Sequence, residues 1–153
     1  MGIALVPDVV SDLVADPPRR RRVMAVTALA GVLALAAPKA DASTRQMAQV
    51  GIGHVYRAQA LLATNSTAEV TALRHAALTN YLEVIFPTRE GEEPDPFWLR
   101  EATFNAAGIC ETQGEWEKAL NLYTRLAERV PSLKEAAAKK IESIQKQLKE
   151  QRL

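Results

Sequence analysis

An all-α fold is predicted for this chain by its composition, by the spacing of its apolar residues and by the punctuation between the spaced segments. Alanine and leucine dominate, while aromatic residues make up 5%, so the aromatic and β-branched runs that strands favour are scarce. Beyond residue 43, apolar side chains recur every three or four positions, which places them on one face of a helix. Pro87, Gly114 and Pro131 interrupt that pattern, and the periodic stretches therefore read as several helices. A length of 153 residues with 48% apolar content supports one globular domain.

The clearest unit runs from Arg100 to Pro131. Ala102, Ala106, Ile109 and Cys110 form a small-residue stripe between Glu101 and Thr112, and small side chains let a second helix approach closely. Gly114 supplies the left-handed conformation that closes a helix, and Glu115 and Glu117 put negative charge in the first turn of the next. Trp116, Ala119, Leu120, Tyr123, Leu126, Ala127 and Val130 continue as an apolar face until Pro131, which cannot extend the helix. The two helices are predicted to pack as a hairpin, with Trp116 and Tyr123 as core or inter-repeat packing residues.

Ala106-Ala107, Gly114, Ala119, Tyr123 and Pro131 stand at the spacing of the tetratricopeptide repeat, a helix-turn-helix unit of about 34 residues, and this stretch resembles that family. The resemblance implies a short tetratricopeptide-like α-α superhelix made of two helix hairpins and a C-terminal capping helix.

The earlier hairpin is less regular. From about Arg45, Val50, Ile52, Val55, Tyr56, Leu61 and Leu62 mark a helix, and Gly53 with Tyr56 repeats the small-then-aromatic spacing of a first repeat helix. Asn65-Ser66-Thr67 offers capping side chains, with Glu69 placed to complete a capping box with Ser66; the same triplet is a glycosylation sequon of little weight here. Val70, Leu73, Ala77, Tyr81 and Val84 form the next stripe, and Ala77-Leu78 with Tyr81 matches Ala119-Leu120 with Tyr123. The separation of Gly53 from Ala77 is twice that of Ala107 from Ala119, an expansion of about twelve residues.

Residues 88–96, TREGEEPDP, read as a solvated acidic loop, without the alternating ligands of a calcium loop. Phe97 and Trp98 are predicted to anchor the following helix, with an exposed docking pair as the alternative. Ser132 and Glu135 are placed for a capping box at the start of a last helix striped by Leu133, Ala137, Ile141, Ile144 and Leu148. Its charged remainder, including Lys139, Lys140, Lys146 and Lys149, suits the outer face of a capping helix.

Residues 1–42 differ from the rest. Arg19 to Arg22 precede the apolar run Val23–Ala37, and Ala40-Asp41-Ala42 offers small residues at the positions a signal peptidase reads. A cleaved secretory signal ending at Ala42 is predicted, with a retained anchor or a buried helix as alternatives; the preceding segment is either an over-long start or a cytoplasmic tail. The apolar run of 15 residues falls short of the ~20 that span a bilayer as a helix. The chain is thus divided into 1–42 and a helical domain at 43–153, expected to be periplasmic or otherwise exported, or else anchored through residues 23–37.

Cys110 is the one cysteine, so no intramolecular disulfide is available and its setting suits a small core residue. Without residues 1–42 the chain carries 14 basic and 14 acidic side chains, a balance that disfavours nucleic acid as a partner. His54 and His75 are the only near-neutral bases, and no activated nucleophile or metal-ligand spacing is visible. Neither catalysis nor a cofactor nor a bound metal is predicted. The expected activity is protein or peptide binding, because stacked helix pairs present a concave face lined by the first helix of each pair.

The family resemblance would put Glu101, Phe104, Asn105, Gly108 and Glu111 on that face, with Met47, Val50, His54 and Arg57 from the earlier helix. Asn105 and Lys139 match two positions of a carboxylate clamp found in some relatives, but Val50 and Glu135 occupy two others, so that ligand is not expected. Resemblance to exported envelope proteins of bacteria implies a scaffold or adaptor there. The alternative is a membrane-anchored or self-associating subunit, since two hairpins and a cap fall short of the three repeats usual for independent stability.

Overall fold

The computed structural model describes residues 40–63 and 67–150, which fold entirely as helix and connecting turns. The helices are α1 (Ala42–Leu62), α2 (Thr67–Ile85), α3 (Pro96–Thr112), α4 (Trp116–Arg129) and α5 (Lys134–Glu150), with a 3-10 turn at Pro131–Leu133. The N-terminal signal or anchor run and the Ser66–Glu69 capping box lie outside the described residues, wholly or in part. Each helix packs on the next in the chain, and α1 also touches α3.

One continuous core joins the two hairpins. Ala77, Tyr81, Val84 and Ile85 of α2 meet Ala102, Ala106 and Ala107 of α3 and Ala119, Tyr123 and Leu126 of α4, all essentially inaccessible to solvent. Burying a side chain the size of Leu126 contributes about 2–3 kcal/mol. Ile144 and Ala137 carry the core onto α5, whose other residues are mostly exposed, so α5 covers α4 with one apolar stripe and turns its charges outward.

The hairpin turn at Gly114 forms as its sequence requires. Gly114 has a φ of 73°, its N–H donates to the Glu111 carbonyl at 3.1 Å, and the Glu115 N–H reaches the Cys110 carbonyl at 2.9 Å. This paired closure of a helix end needs a residue free to adopt positive φ.

The expansion of the first hairpin is absorbed by longer helices. Tyr81 lies 14 residues past the start of α2, whereas Tyr123 lies seven past the start of α4. The residues that hold the two phenolic groups, His54 and Glu111, stand eight and one residues before the ends of α1 and α3. The α2 arm of the first hairpin is thus longer by seven residues, about two helical turns, and the tyrosine keeps its place against the partner helix.

Two expectations about the segments between helices are corrected. Ser132 does not precede α5 as its cap: it sits inside the 3-10 turn, where the Leu133 N–H donates to the Val130 carbonyl at 2.9 Å. Pro131 fixes the first residue of that turn, and α5 follows directly at Lys134. The acidic loop is also more than a solvated linker. Glu92 pairs with Arg45 at 2.8 Å, and Gln46, 3% exposed, donates to the Glu93 carbonyl and accepts the Asp95 N–H.

Candidate functional site

The face expected to bind a partner is built on α3. Glu101, Phe104, Asn105, Gly108 and Glu111 share one side of that helix through their three-and-four spacing, while the opposite stripe of Ala102, Ala106, Ile109 and Cys110 is buried. The small buried residues seat α3 deep in the bundle, and the exposed side becomes the floor between α1 and α5.

On the α1 side the structure closes that floor. The Arg57 guanidinium donates to the Asn105 side-chain oxygen, and the Asn105 amide donates to the Glu101 carbonyl at 2.8 Å. His54 Nδ1 lies within hydrogen-bond distance of the Tyr81 hydroxyl, at 2.9 Å. Burial first, and the Arg57 charge second, hold the His54 pKa down to about 4. Burial likewise raises the Tyr81 phenol, so both groups stay neutral.

On the α5 side the floor is open. A cleft of about 640 Å³ lies between Phe104 and the first half of α5, with Ser132, Glu135, Ala136, Lys139 and Lys140 along its wall. Phe104 is half-buried and packs edge-on against Tyr123, ring centroids 5.4 Å apart. The Tyr123 hydroxyl donates to Glu111 at 2.9 Å, and Lys140 approaches the other Glu111 oxygen at 3.9 Å. Burial is the main cause of the raised Tyr123 pKa, with the Glu111 bond second.

Gly108 stands one turn beyond Phe104, and a methyl group added there would meet nothing within 4 Å. A glycine inside a helix costs about 1 kcal/mol relative to alanine. Neither a close helix crossing nor a positive φ calls for it. Gly53 is the contrast: a methyl there would sit 2.6 Å from the Tyr81 ring, so its glycine is explained by packing within the fold.

The expected contact residues therefore separate. Phe104, Gly108, Arg57 and Met47 keep accessible surface. His54, Asn105 and Glu111 are engaged with Tyr81, Arg57 and Tyr123, and Glu101 lies near Arg100 at 3.4 Å. Val50 is a correction: it is 1% exposed and belongs to the core, because its side of α1 faces α2 and α3. Lys139 and Glu135 line the cleft but lie within 3.6 Å of each other.

Sequence reading missed the ties between α1 and the acidic loop, and it missed Asp95 as the cap of α3. The Asp95 carboxylate accepts the Phe97 N–H at 2.9 Å; Asp followed by Pro at the first helical position was the available signal. Ser132 and Ala136 carried no such signal, since they acquire their places on the cleft wall only from how α5 lies beside Phe104.

Among the described residues no cluster of metal-ligating side chains occurs, and no helix is long and apolar enough to cross a membrane. No family model, curated protein or solved structure matches the chain.

Proposed function

We propose that this protein is a non-catalytic protein-binding scaffold, and that it takes a peptide or a partner's helix on the exposed side of α3. The observation that carries this reading is Gly108. It gives up about 1 kcal/mol of helix stability at a position where the fold itself leaves open space, and a ligand backbone could come closest there. Phe104 beside it offers an aromatic surface, and Lys139 and Lys140 edge the adjoining cleft with flexible cations.

The tetratricopeptide-like spacing supports the same reading, since such hairpins use the first helix of each pair for binding. The basic and apolar N-terminal run favours a place at the cell envelope.

The test is selection of peptides from a random display library on the purified protein, followed by titration against Gly108→Leu and Phe104→Ala. Selected peptides are expected to lose at least about tenfold in affinity for Gly108→Leu, about 1.4 kcal/mol, while its helicity stays unchanged. Peptides that bind the variant as well as the parent would refute this site.

A further inference from the structure

Three of the four large apolar side chains that the described residues leave exposed lie toward one end of the bundle. Phe86 follows the end of α2, Phe97 is in the first turn of α3, and Met47 is in the second turn of α1; they are 44%, 45% and 47% exposed. Leu61, the fourth, is in the last turn of α1, at the opposite end. Antiparallel packing brings the start of α1, the end of α2 and the start of α3 together, and the Trp98 indole N–H fastens α3 to Ser43 at 3.2 Å.

The chain enters the bundle at this same end. The Asp41 carboxylate accepts the Thr44 N–H at 2.7 Å, and the Ala40 carbonyl accepts the Arg45 guanidinium. Only Pro38 and Lys39 separate that point from the apolar run Val23–Ala37. Cleavage after Ala42 would remove both Asp41 and Ala40, and with them the cap of α1.

We propose that residues 23–37 are retained and that the end of the bundle bearing Phe86 and Phe97 rests on a lipid bilayer. Exposed aromatic rings with a cation beside them suit the headgroup layer, and the Arg125 guanidinium lies 4.3 Å from the centre of the Phe86 ring. The apolar run is shorter than the ~20 residues of a spanning helix, so contacts from the folded domain add to its hold. Glu90, Glu93 and Asp95 lie in the loop between the two phenylalanines, which favours zwitterionic over anionic lipid. Lipid contact at this end does not depend on the α3 face and can fail without it.

Trp98 and Trp116 provide the test, because Trp116 opens α4 at the other end of the bundle. The full chain is reconstituted with phosphatidylcholine vesicles carrying a shallow spin-labelled lipid, as Trp116→Phe and as Trp98→Phe. Trp98 is expected to be quenched about twofold or more and Trp116 hardly at all, and Phe86→Ser with Phe97→Ser is expected to remove the Trp98 quenching while the chain still floats with the vesicles. Equal quenching of the two tryptophans, an intact mass that begins at Ser43 in the source cell, or a dimer in solution that Phe86→Ser and Phe97→Ser dissociate would each overturn the proposal.

Discussion

The two hairpins bury the same pair of residues and end with opposite surfaces. In α1/α2, Ala77 and Tyr81 are inaccessible, Tyr81 lies over Gly53, and its hydroxyl meets His54. In α3/α4, Ala119 and Tyr123 take the same places, but Tyr123 meets Phe104 and Glu111, and the nearby glycine faces open space. The same alanine-tyrosine device thus holds both pairs, and what changes is whether the first helix is closed by its own partner or left open. Arg57 of the first hairpin reaches across to Asn105, so the closed hairpin also walls one side of the open one.

The largest effect that sharpens this contrast is expected from Gly53→Ala. The added methyl would meet a fully buried ring at 2.6–2.9 Å, and such overpacking costs about 1–3 kcal/mol, read as a lowered urea midpoint.

Acid should separate the hairpins next. His54 titrates near 4 in the fold against an ordinary 6.5, so between those values the unfolded chain binds the proton and the folded chain does not. Stability is therefore intact above pH 6.5 and falls as pH drops toward 4, by up to about 3 kcal/mol from this group. The pH dependence of unfolding in His54→Gln should lack that portion; an unchanged slope would place the loss elsewhere.

Gly108→Ala is expected to act in the opposite sense to Gly53→Ala, raising stability by about 0.5–1 kcal/mol through helix propensity alone. A loss of stability in thermal unfolding would show that the position is packed. Lys139→Ala should be nearly silent: its pairing with Glu135 is exposed, and such pairs contribute about 0–0.5 kcal/mol.

The helices and the core stripe were legible because a period of three and four needs only the sequence. Ala106, Ile109, Cys110, Ala119 and Tyr123 are buried as their spacing required, and Gly114 turns with positive φ. The roles of Gly53 and Gly108 were not legible, since the two residues look alike in sequence and differ only in what another helix places above them. Val50 was misassigned for the same reason: helical phase gives a face, but the neighbouring helix decides whether that face is covered. The Arg45–Glu92 pair and the Gln46 contacts join residues 47 to 49 positions apart, beyond the reach of local pattern.

A scaffold role requires α3 to be open to a protein partner, and site-specific photocrosslinking tests that most directly. A benzophenone side chain is placed at Lys139, on the cleft wall, or at Thr71, on the exposed side of α2, and irradiated in the source cells. A discrete protein adduct from position 139 and none from position 71 is the expected result. Equal labelling from both positions, or none from position 139, would contradict it.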